Sequence, residues 1–362
     1  MKNPFTPSFG SEPLVLAGRR DIIEGMRRGY ENGTGDPRLN SIVVGARGTG
    51  KTALLNIIPG IAQERGWACV SVTALSGMLE DIYQRAVAQA SDILDDGKGA
   101  RLTGLTIGSA VGATWELPDE PEGNWRTRMY RVLDTLESQG TGLLITVDEV
   151  TSDLDEMIQF AAVYQHFVRE GRSVALLMAG LPNNVSSLLS NKSASFLRRA
   201  KQYRLGRISD ADMAFAIRKT VEGGGRSIER EALDLAVKAS SGFPYMMQLV
   251  GFHTWESSED GGAIDADAVA RGIEVAGYDM RDGVYRSTLR DLSAKDIDFL
   301  QAMLEDEGGS RMADVARRMG VSSSYASQYR LRLIDQGVIG ERGRGRVWFD
   351  IPGFDSYLRE EL

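Results

Sequence analysis

Cysteine is almost absent from this chain of 362 residues, which has Cys69 alone. An intrachain disulfide is therefore excluded, and so is a zinc site built on cysteine pairs. Cys69 lies in the strand-like segment 67–72, which predicts a buried, unreactive thiol. The chain also has only two histidines, His166 and His253. They lie on separate helical stretches without a ligand-spaced partner, so we predict structural roles for both.

Long apolar runs are missing as well. No stretch of eighteen apolar residues occurs, which excludes a transmembrane helix and predicts no membrane partner. The first residues lack the apolar segment of a signal peptide, so we expect a cytosolic, cytoplasmic protein. Hydrophobic residues make up 42% of the chain, which favours a fully folded protein over an extended disordered one. A length of 362 residues predicts two or three domains.

Positive charge is scarce overall but concentrated near the C-terminus. The formal net charge is −8. Between residues 311 and 346, however, eight arginines stand against three acidic residues, so this segment carries +5 and the rest of the chain −13. An acidic body with a basic C-terminal module keeps nucleic acid open as a partner.

A glycine-rich octapeptide carries the strongest indication of chemistry. It fits the pattern G-x-x-x-x-G-K-[ST] with Gly45, Ala46, Arg47, Gly48, Thr49, Gly50, Lys51 and Thr52. A buried-strand run precedes it and a helical run starting at Ala53 follows, which is the context of a phosphate-binding loop. Backbone N–H groups of such a loop bind phosphate at the start of a helix. We predict that Lys51 contacts the β- and γ-phosphates and that Thr52 ligates Mg²⁺.

A second motif follows about 95 residues later in the sequence. The apolar run 143–147 ends in two adjacent acids, Asp148 and Glu149. Asp148 is predicted to hold Mg²⁺ through water, and Glu149 to act as the general base that polarises an attacking water. The simpler interpretation is a strand that ends in an acidic turn. With the loop upstream, the pair instead predicts a chain that binds a nucleoside triphosphate and hydrolyses it.

Residues 41–207 alternate buried strands with helical stretches. The predicted strands are 41–45, 67–73, 142–148, 173–179 and 202–206. This alternation predicts an α/β fold, namely a P-loop NTPase domain with a parallel sheet and helices on both faces. A strap formed by residues 1–40 precedes this domain. A Gly- and Pro-rich insert at 97–125 interrupts it, and we interpret the insert as a hairpin and loop that forms a lid or a protein-partner surface.

The remaining chain is predicted to form two further domains. Residues 208–290 show helical periodicity throughout and predict a small helical lid domain, with helices at 210–222, 229–240, 244–256 and 266–277. Residues 291–362 predict a winged-helix domain, with helices at 294–305, 312–319 and 324–336 before a basic glycine-rich hairpin. In the third helix, we expect Leu331, Leu333 and Ile334 to face the core.

The winged helix offers candidate contacts to double-stranded DNA. The predicted DNA-binding residues are Ser323, Ser324, Tyr325, Gln328 and Arg330 on the third helix and Arg342, Arg344 and Arg346 on the wing. The short polar first turn suits base edges, and the wing arginines suit the minor groove or the phosphate backbone. Winged helices also serve as protein-contact modules, so the fold alone does not decide between DNA and protein.

With these motifs in place, the chain resembles the AAA+ ATPases of the archaeal-type ATPase group, related to origin-recognition and replication-initiator ATPases. The resemblance rests on residues 16–19, the phosphate-binding loop, the acid pair, the 240–244 turn and the winged helix. It implies ATP and Mg²⁺ as cofactors, Arg19 near the adenine, and Pro244 at the start of the second sensor helix. It also implies that Arg198 or Arg199 is an arginine finger acting on a neighbouring subunit, unless both belong to a solvated helix end.

Two positions depart from the initiator pattern. Tyr245 stands where an arginine would follow Pro244, and Gly180 ends the fourth strand where a polar first sensor is usual. Asn183 and Asn184 follow slightly late. These departures predict hydrolysis that is slow or depends on a neighbouring subunit.

Two hypotheses follow from the sequence. The first is a Mg²⁺-ATP-dependent AAA+ ATPase that binds DNA through its winged helix, with self-association controlled by nucleotide. The second is a nucleotide-gated signalling or defence switch whose winged helix contacts its own body or a protein partner.

Overall fold

The structure is a computed structural model that describes residues 1–8, 12–96, 123–258 and 261–362. Residues 97–122 of the predicted insert lie outside the described residues. Across the described ranges, no helix combines the length and the apolar character that crossing a bilayer requires.

A five-stranded parallel sheet forms the centre of the N-terminal part. Its strands are β1 (Asn40–Gly45), β2 (Trp67–Thr73), β3 (Gly142–Asp148), β4 (Val174–Gly180) and β5 (Lys201–Leu205). They follow the order β2-β3-β4-β1-β5 and are parallel throughout. Each strand lies within one residue of its predicted bounds. The carboxyl ends of β1 and β3 therefore bring the loop and the acid pair to the same edge of the sheet.

Helices cover both faces of this sheet. They are α1 (Arg20–Asn32), α2 (Lys51–Gln63), α3 (Met78–Asp96), α4 (Trp125–Ser138), α5 (Asp155–Arg169) and α6 (Pro182–Ser190). Adjacent strand residues such as Ile42 and Val43 belong to two different hydrophobic clusters, because successive side chains point to opposite faces. The predicted α/β fold with helices on both faces is confirmed. Burial raises the pKa of the Cys69 thiol to about 12, which keeps it protonated.

Four helices form the lid beside the sheet. They are α7 (Asp210–Gly223), α8 (Arg230–Ser240), α9 (Pro244–Ser257) and α10 (Ala266–Met280). The side chains of Ser209 and Asp265 cap α7 and α10 by accepting hydrogen bonds from backbone N–H groups. A π-helical turn, Arg281–Tyr285, and α11 (Arg286–Arg290) continue the chain towards the last module. His253 contacts Asp279 across 2.6 Å, as suits a structural histidine.

The last module has the winged-helix pattern. Its elements are α12 (Ala294–Leu304), β6 (Ser310–Arg311), α13 (Met312–Arg318), α14 (Ser323–Asp335), β7 (Ile339–Glu341), β8 (Arg346–Phe349) and α15 (Phe354–Glu361). The three strands form an antiparallel sheet in the order β6-β8-β7. Ser322 caps α14 by accepting a hydrogen bond from Tyr325 N.

One core prediction in α14 is wrong. Leu333 is fully buried and Ile334 is half-buried, but Leu331 is 56% exposed. The buried face of α14 is set by Ala326 and Leu333, which are seven residues apart. Leu331 lies two residues, or about 200°, from Leu333 and therefore points away from the core.

The lid and the winged helix share one hydrophobic cluster. Tyr285, at the junction, lies 5.7 Å from the Phe354 ring and 5.3 Å from the Tyr357 ring, measured between centroids. Its hydroxyl donates a hydrogen bond to the carbonyl of Pro352. The winged helix is therefore packed against the lid and is not a module on a free linker.

Candidate nucleotide-binding site

The phosphate-binding loop connects the end of β1 to the start of α2. Gly48 and Gly50 take positive φ angles of 74° and 87°, a conformation that few other residues adopt without strain. Lys51 Nζ donates to the carbonyl oxygens of Gly45 at 3.0 Å and Ala46 at 2.9 Å. Burial lowers the pKa of Lys51 to about 8, with a smaller opposing effect from Asp148. The loop thus curls around the half-buried ammonium group of Lys51, a cation that suits an anion-binding site.

The predicted Mg²⁺ ligands lie together. Thr52 Oγ1 donates to Asp148 Oδ2 across 2.7 Å, although the two residues are 96 positions apart. Among the residues that the structure describes, no cluster of three or more His, Cys, Asp or Glu side chains could hold a metal on its own. Mg²⁺ keeps several waters and is commonly bound by one or two protein oxygens together with substrate phosphates. The hydroxyl and carboxylate of Thr52 and Asp148 fit that kind of site.

Glu149 has an unusual backbone conformation. Its φ angle is +54°, in the left-handed region where residues other than glycine are uncommon. Its N–H donates to Asp148 Oδ1 at 2.8 Å, which fixes the turn at the strand tip. The Glu149 side chain has no hydrogen bond or ion pair to the described part of the chain. A strained residue with an uncommitted carboxylate beside the metal ligands fits the predicted general base.

A cavity of about 300 Å³ opens at this edge of the sheet. At one end it is lined by predicted site residues, namely Arg47, Gly48, Thr49, Gly50, Lys51, Thr52, Ala53, Asp148 and Glu149. The other end is largely apolar, with Val15, Leu16, Ala17, Ile208, Pro244 and Met247. Gly45 and Ala46, also predicted to bind the cofactor, lie outside this lining. The cavity therefore combines a phosphate-binding end with an apolar end of the size that ligands occupy.

Arg19 and Pro244, the two further positions that the resemblance singles out, both line the cavity. Arg19 is buried, and its Nη2 donates to Thr49 O at 3.3 Å and Gly206 O at 2.9 Å. Desolvation lowers the pKa of Arg19, partly offset by Asp212. Its guanidinium therefore joins the loop to the end of β5 through Nη2, and no hydrogen bond to the described residues uses Nε or Nη1.

The lid contacts the phosphate-binding loop directly. A Cβ atom added to Gly48 would lie 2.6 Å from the ring of Phe243, so only glycine fits there without a shift. Tyr245 donates its N–H to Gly48 O at 3.3 Å. The start of α9 is thus placed against the phosphate-binding loop, with a tyrosine where the resemblance implies an arginine.

The winged helix also reaches the loop. A Cβ atom added to Gly337 would lie 2.0 Å from Cβ of Ala46. Arg47 forms an ion pair with Asp291, between the lid and α12. Asn183 and Asn184 line a cavity at this junction and not the nucleotide cavity. The predicted late first sensor therefore faces the winged helix.

The arginine-finger candidates lie away from the nucleotide cavity of their own chain. Arg198 and Arg199 end the 3-10 helix Lys192–Arg199 before β5, and both are exposed. Arg198 Nε donates to Leu189 O at 2.7 Å. Their role as a finger stays a prediction.

The predicted DNA-binding residues divide into two groups. Ser323, Ser324, Tyr325 and Gln328 are exposed on the first turns of α14. Arg330 is paired with Glu341 at 2.9 Å, and Arg342 with Asp350 at 2.6 Å. Arg344 and Arg346 are exposed and have no ion pair with the described residues. Two of the four arginines that are predicted to contact DNA therefore already form ion pairs within the chain.

Sequence reasoning missed part of the cavity wall. Thr6, Tyr245 and Gln248 line it, as do Gly283 and Val284 of the π-helical turn. One sign of this wall was present in the sequence, because Gln248 is a polar residue within an apolar segment of α9 that ends at Gly251.

Comparison with known proteins supports the fold. A family model described as a domain of unknown function (DUF8462) matches residues 282–358. No curated protein matches the chain in sequence. Similar solved structures include a Walker-type ATPase of Pyrococcus abyssi, with 15% identity, a TM-score of 0.67, and coverage of 95% of this chain and 96% of that one.

Two replication proteins are also similar in structure. The Aeropyrum pernix ORC2 protein has 14% identity and a TM-score of 0.52, with 98% and 97% of the two chains covered. Cdc6p of Pyrobaculum aerophilum has 13% identity and a TM-score of 0.50, with 98% of each chain covered. These likenesses extend over nearly the full length of all the chains. The chain thus has the AAA+ P-loop NTPase fold, with a helical lid and a C-terminal winged helix.

Proposed function

We propose that this chain is a Mg²⁺-dependent ATPase that binds ATP between its sheet and its helical lid. The observation that carries the proposal is the 2.7 Å hydrogen bond between Thr52 and Asp148 at the phosphate-binding end of the cavity. This bond brings the two predicted Mg²⁺ ligands to one point. Lys51 lies beside it, and the Glu149 carboxylate is free to accept a proton from water.

Each group of the site has a separate role in binding or hydrolysis. The loop N–H groups and Lys51 bind the β- and γ-phosphates, and Thr52 and Asp148 hold Mg²⁺, which neutralises phosphate charge. Glu149 orients the attacking water. The ORC2 structure of similar fold contains ADPNP and ADP, which supports a nucleotide at this place. The missing sensor arginine at Tyr245 supports slow turnover.

Equilibrium titration with a fluorescent ATP analogue tests this proposal. Binding should require the loop, so Lys51→Ala should lose it, whereas Lys238→Ala removes an exposed lysine of the lid and should leave it intact. Equal affinity of the parent and Lys51→Ala would contradict a phosphate-binding role for the loop.

We further propose that the chain self-associates and binds duplex DNA through its winged helix in a nucleotide-dependent way. The exposed polar start of α14 and the unpaired Arg344 and Arg346 support a DNA contact. Exposure of Arg198 and Arg199 outside their own cavity supports action on a neighbouring subunit. Sedimentation with and without Mg²⁺-ATP tests assembly, and an unchanged monomer in both states would contradict it. A partner for residues 97–125 stays a prediction.

A second candidate function is a nucleotide-gated switch, and the docked winged helix favours it. Gly337 lies against Ala46, and Asp291 is paired with Arg47, so the module touches the phosphate-binding loop at two points. Asp350 at the base of the wing lines a cavity together with Arg207 and Ala46. The same arrangement places Arg342, which is paired with Asp350, close to the ATPase body.

The two proposed functions differ in whether the winged helix, once released from the phosphate-binding loop, binds duplex DNA or protein. Duplex binding that weakens steeply with salt and strengthens with Mg²⁺-ATP would support the DNA-binding ATPase. A nucleotide-dependent release of the winged helix with no duplex binding would support the switch.

A further inference from the structure

The apolar end of the nucleotide cavity contains one buried polar side chain. Gln248, on α9, is 8% exposed and lines the cavity beside Met247 and Pro244. A buried amide normally finds partners for both its oxygen and its nitrogen. In Gln248 the amide oxygen has a hydrogen-bond partner, whereas the amide nitrogen has none among the described residues.

The N-terminal segment fixes the orientation of this amide. Thr6 N donates to Gln248 Oε1 across 2.9 Å. Because a backbone N–H can only donate, the oxygen must face Thr6 and the Nε2 group must face the other way. Nε2 has no hydrogen bond to any residue that the structure describes, and it is not sealed from solvent. It therefore presents an oriented, unused donor at the cavity.

The segment that holds Gln248 is itself firmly attached to the lid. Phe5 is buried, and a Cβ atom added to Gly251 would lie 2.3 Å from its ring. Asn3 Nδ2 donates to Phe252 O at 3.1 Å and to Glu256 Oε1 at 2.9 Å. Thr6 is thus held in place by contacts on α9, which also carries Gln248.

We propose that Gln248 recognises the base of the nucleotide by donating a hydrogen bond from Nε2, and that this bond favours adenine over guanine. The inference rests on the proposed ATPase function and deepens it. Adenine offers ring nitrogens that accept a hydrogen bond from Nε2, and its flat faces suit the walls formed by Ala17, Ile208 and Met247. Adenine has an acceptor at N1 that can pair with the Nε2 donor, whereas the same edge of guanine carries N1–H and N2–H₂ and would set donor against donor. A buried donor that faces another donor is costly, which disfavours guanine.

Two substitutions at one position test the donor. Gln248→Met keeps the approximate size and removes the amide, whereas Gln248→Glu keeps an acceptor for Thr6 and replaces the donor by an acceptor. Fluorescent ATP and GTP analogues and tripolyphosphate, which has no base, are each titrated into the full chain. We expect both variants to lose about 3- to 10-fold in affinity for the ATP analogue, as for one hydrogen bond. Affinity for tripolyphosphate should stay at the parent value, which also shows that the variants are folded.

The GTP arm makes the test specific. Gln248→Glu should bind the GTP analogue at least as well as the parent does, because its carboxylate can accept from the guanine edge. Equal loss of ATP and tripolyphosphate affinity, or no loss of ATP affinity, would overturn the inference. A parent that binds neither ATP nor tripolyphosphate would instead contradict the proposed function. Asn3→Ala, which removes two contacts of the N-terminal segment, should weaken ATP binding less than Gln248→Met does.

Discussion

Gly337 of the winged helix lies against Ala46 of the phosphate-binding loop, so closely that a Cβ atom on Gly337 would come within 2.0 Å of Cβ of Ala46. The φ angle of Gly337 is 71°, which also favours glycine. Ala46 directly follows Gly45, the last residue of β1, and Gly337 lies in the turn after α14. We therefore expect a shift of the phosphate-binding loop to alter the position of the winged helix.

Gly337→Ala is expected to displace the winged helix from the loop. Hydrogen exchange should become faster in residues 45–52 and at 337–341, and a bound fluorescent ADP analogue should dissociate faster. Gly320→Ala is the matched control, because Gly320 has a similar φ of 65° with open space around it. Identical effects of the two substitutions would mean that backbone strain, and not the contact with Ala46, is responsible.

Replacing Arg344 and Arg346 together by alanine should weaken duplex binding. Each arginine that neutralises a phosphate releases a counterion, so the slope of log affinity against log salt should become less negative by about 2. Arg218→Ala with Arg230→Ala removes the same charge from exposed sites on the lid. If that control pair changes the slope as much, the wing is not the contact and the effect is one of net charge.

Glu149→Gly should abolish turnover and at the same time stabilise the fold. Glycine relieves the positive φ of 54°, a gain of about 1 kcal/mol in the free energy of unfolding. Glu149→Ala removes the same carboxylate without that relief. Thermal unfolding without nucleotide compares the two variants, and a glycine variant no more stable than the alanine variant would argue against strain at this residue.

The winged helix should lose stability in acid through Asp306. Arg318 binds this carboxylate with two hydrogen bonds, one of them 2.7 Å long, and they lower the pKa of Asp306 to about 2. Because the folded pKa lies below the ordinary value of 3.8, the stabilisation is complete above about pH 4 and is lost as the pH falls through about 2.

Asp306→Asn should therefore lower Tm at pH 7, with a loss of about 1 kcal/mol for a partly exposed pair. The difference from the parent should shrink as the pH falls from 4 to 2. Glu307→Gln, at an exposed neighbour, serves as the control. A difference that persists unchanged at pH 2 would show that the ion pair is not the source.

The sheet could be predicted closely because its strands carry their own signal. Parallel strands covered on both faces appear as continuous apolar runs, as in β4, where all seven residues are buried. The loop and acid pair could be predicted for the same reason, since each follows such a run directly. Thr52 and Asp148 then meet because the carboxyl ends of parallel strands share one edge.

The remaining features depend on contacts between distant parts of the chain. The pairing of Arg342 with Asp350, which turns a predicted DNA contact inward, follows from the fold of the wing and not from local periodicity. Leu331 carries the residue type of a core position but lies on the outer side of α14. The orientation of the Gln248 amide depends on a hydrogen bond from the N–H of Thr6, which lies more than two hundred residues earlier in the chain.

Single-turnover ATP hydrolysis by the parent and by Glu149→Gln tests the central claim most directly. With Mg²⁺ present, we predict that Glu149→Gln binds ATP with nearly the parent affinity and hydrolyses it at least about 100-fold more slowly, as the loss of a general base implies. Hydrolysis by Glu149→Gln at the parent rate would contradict the assigned chemistry of this site.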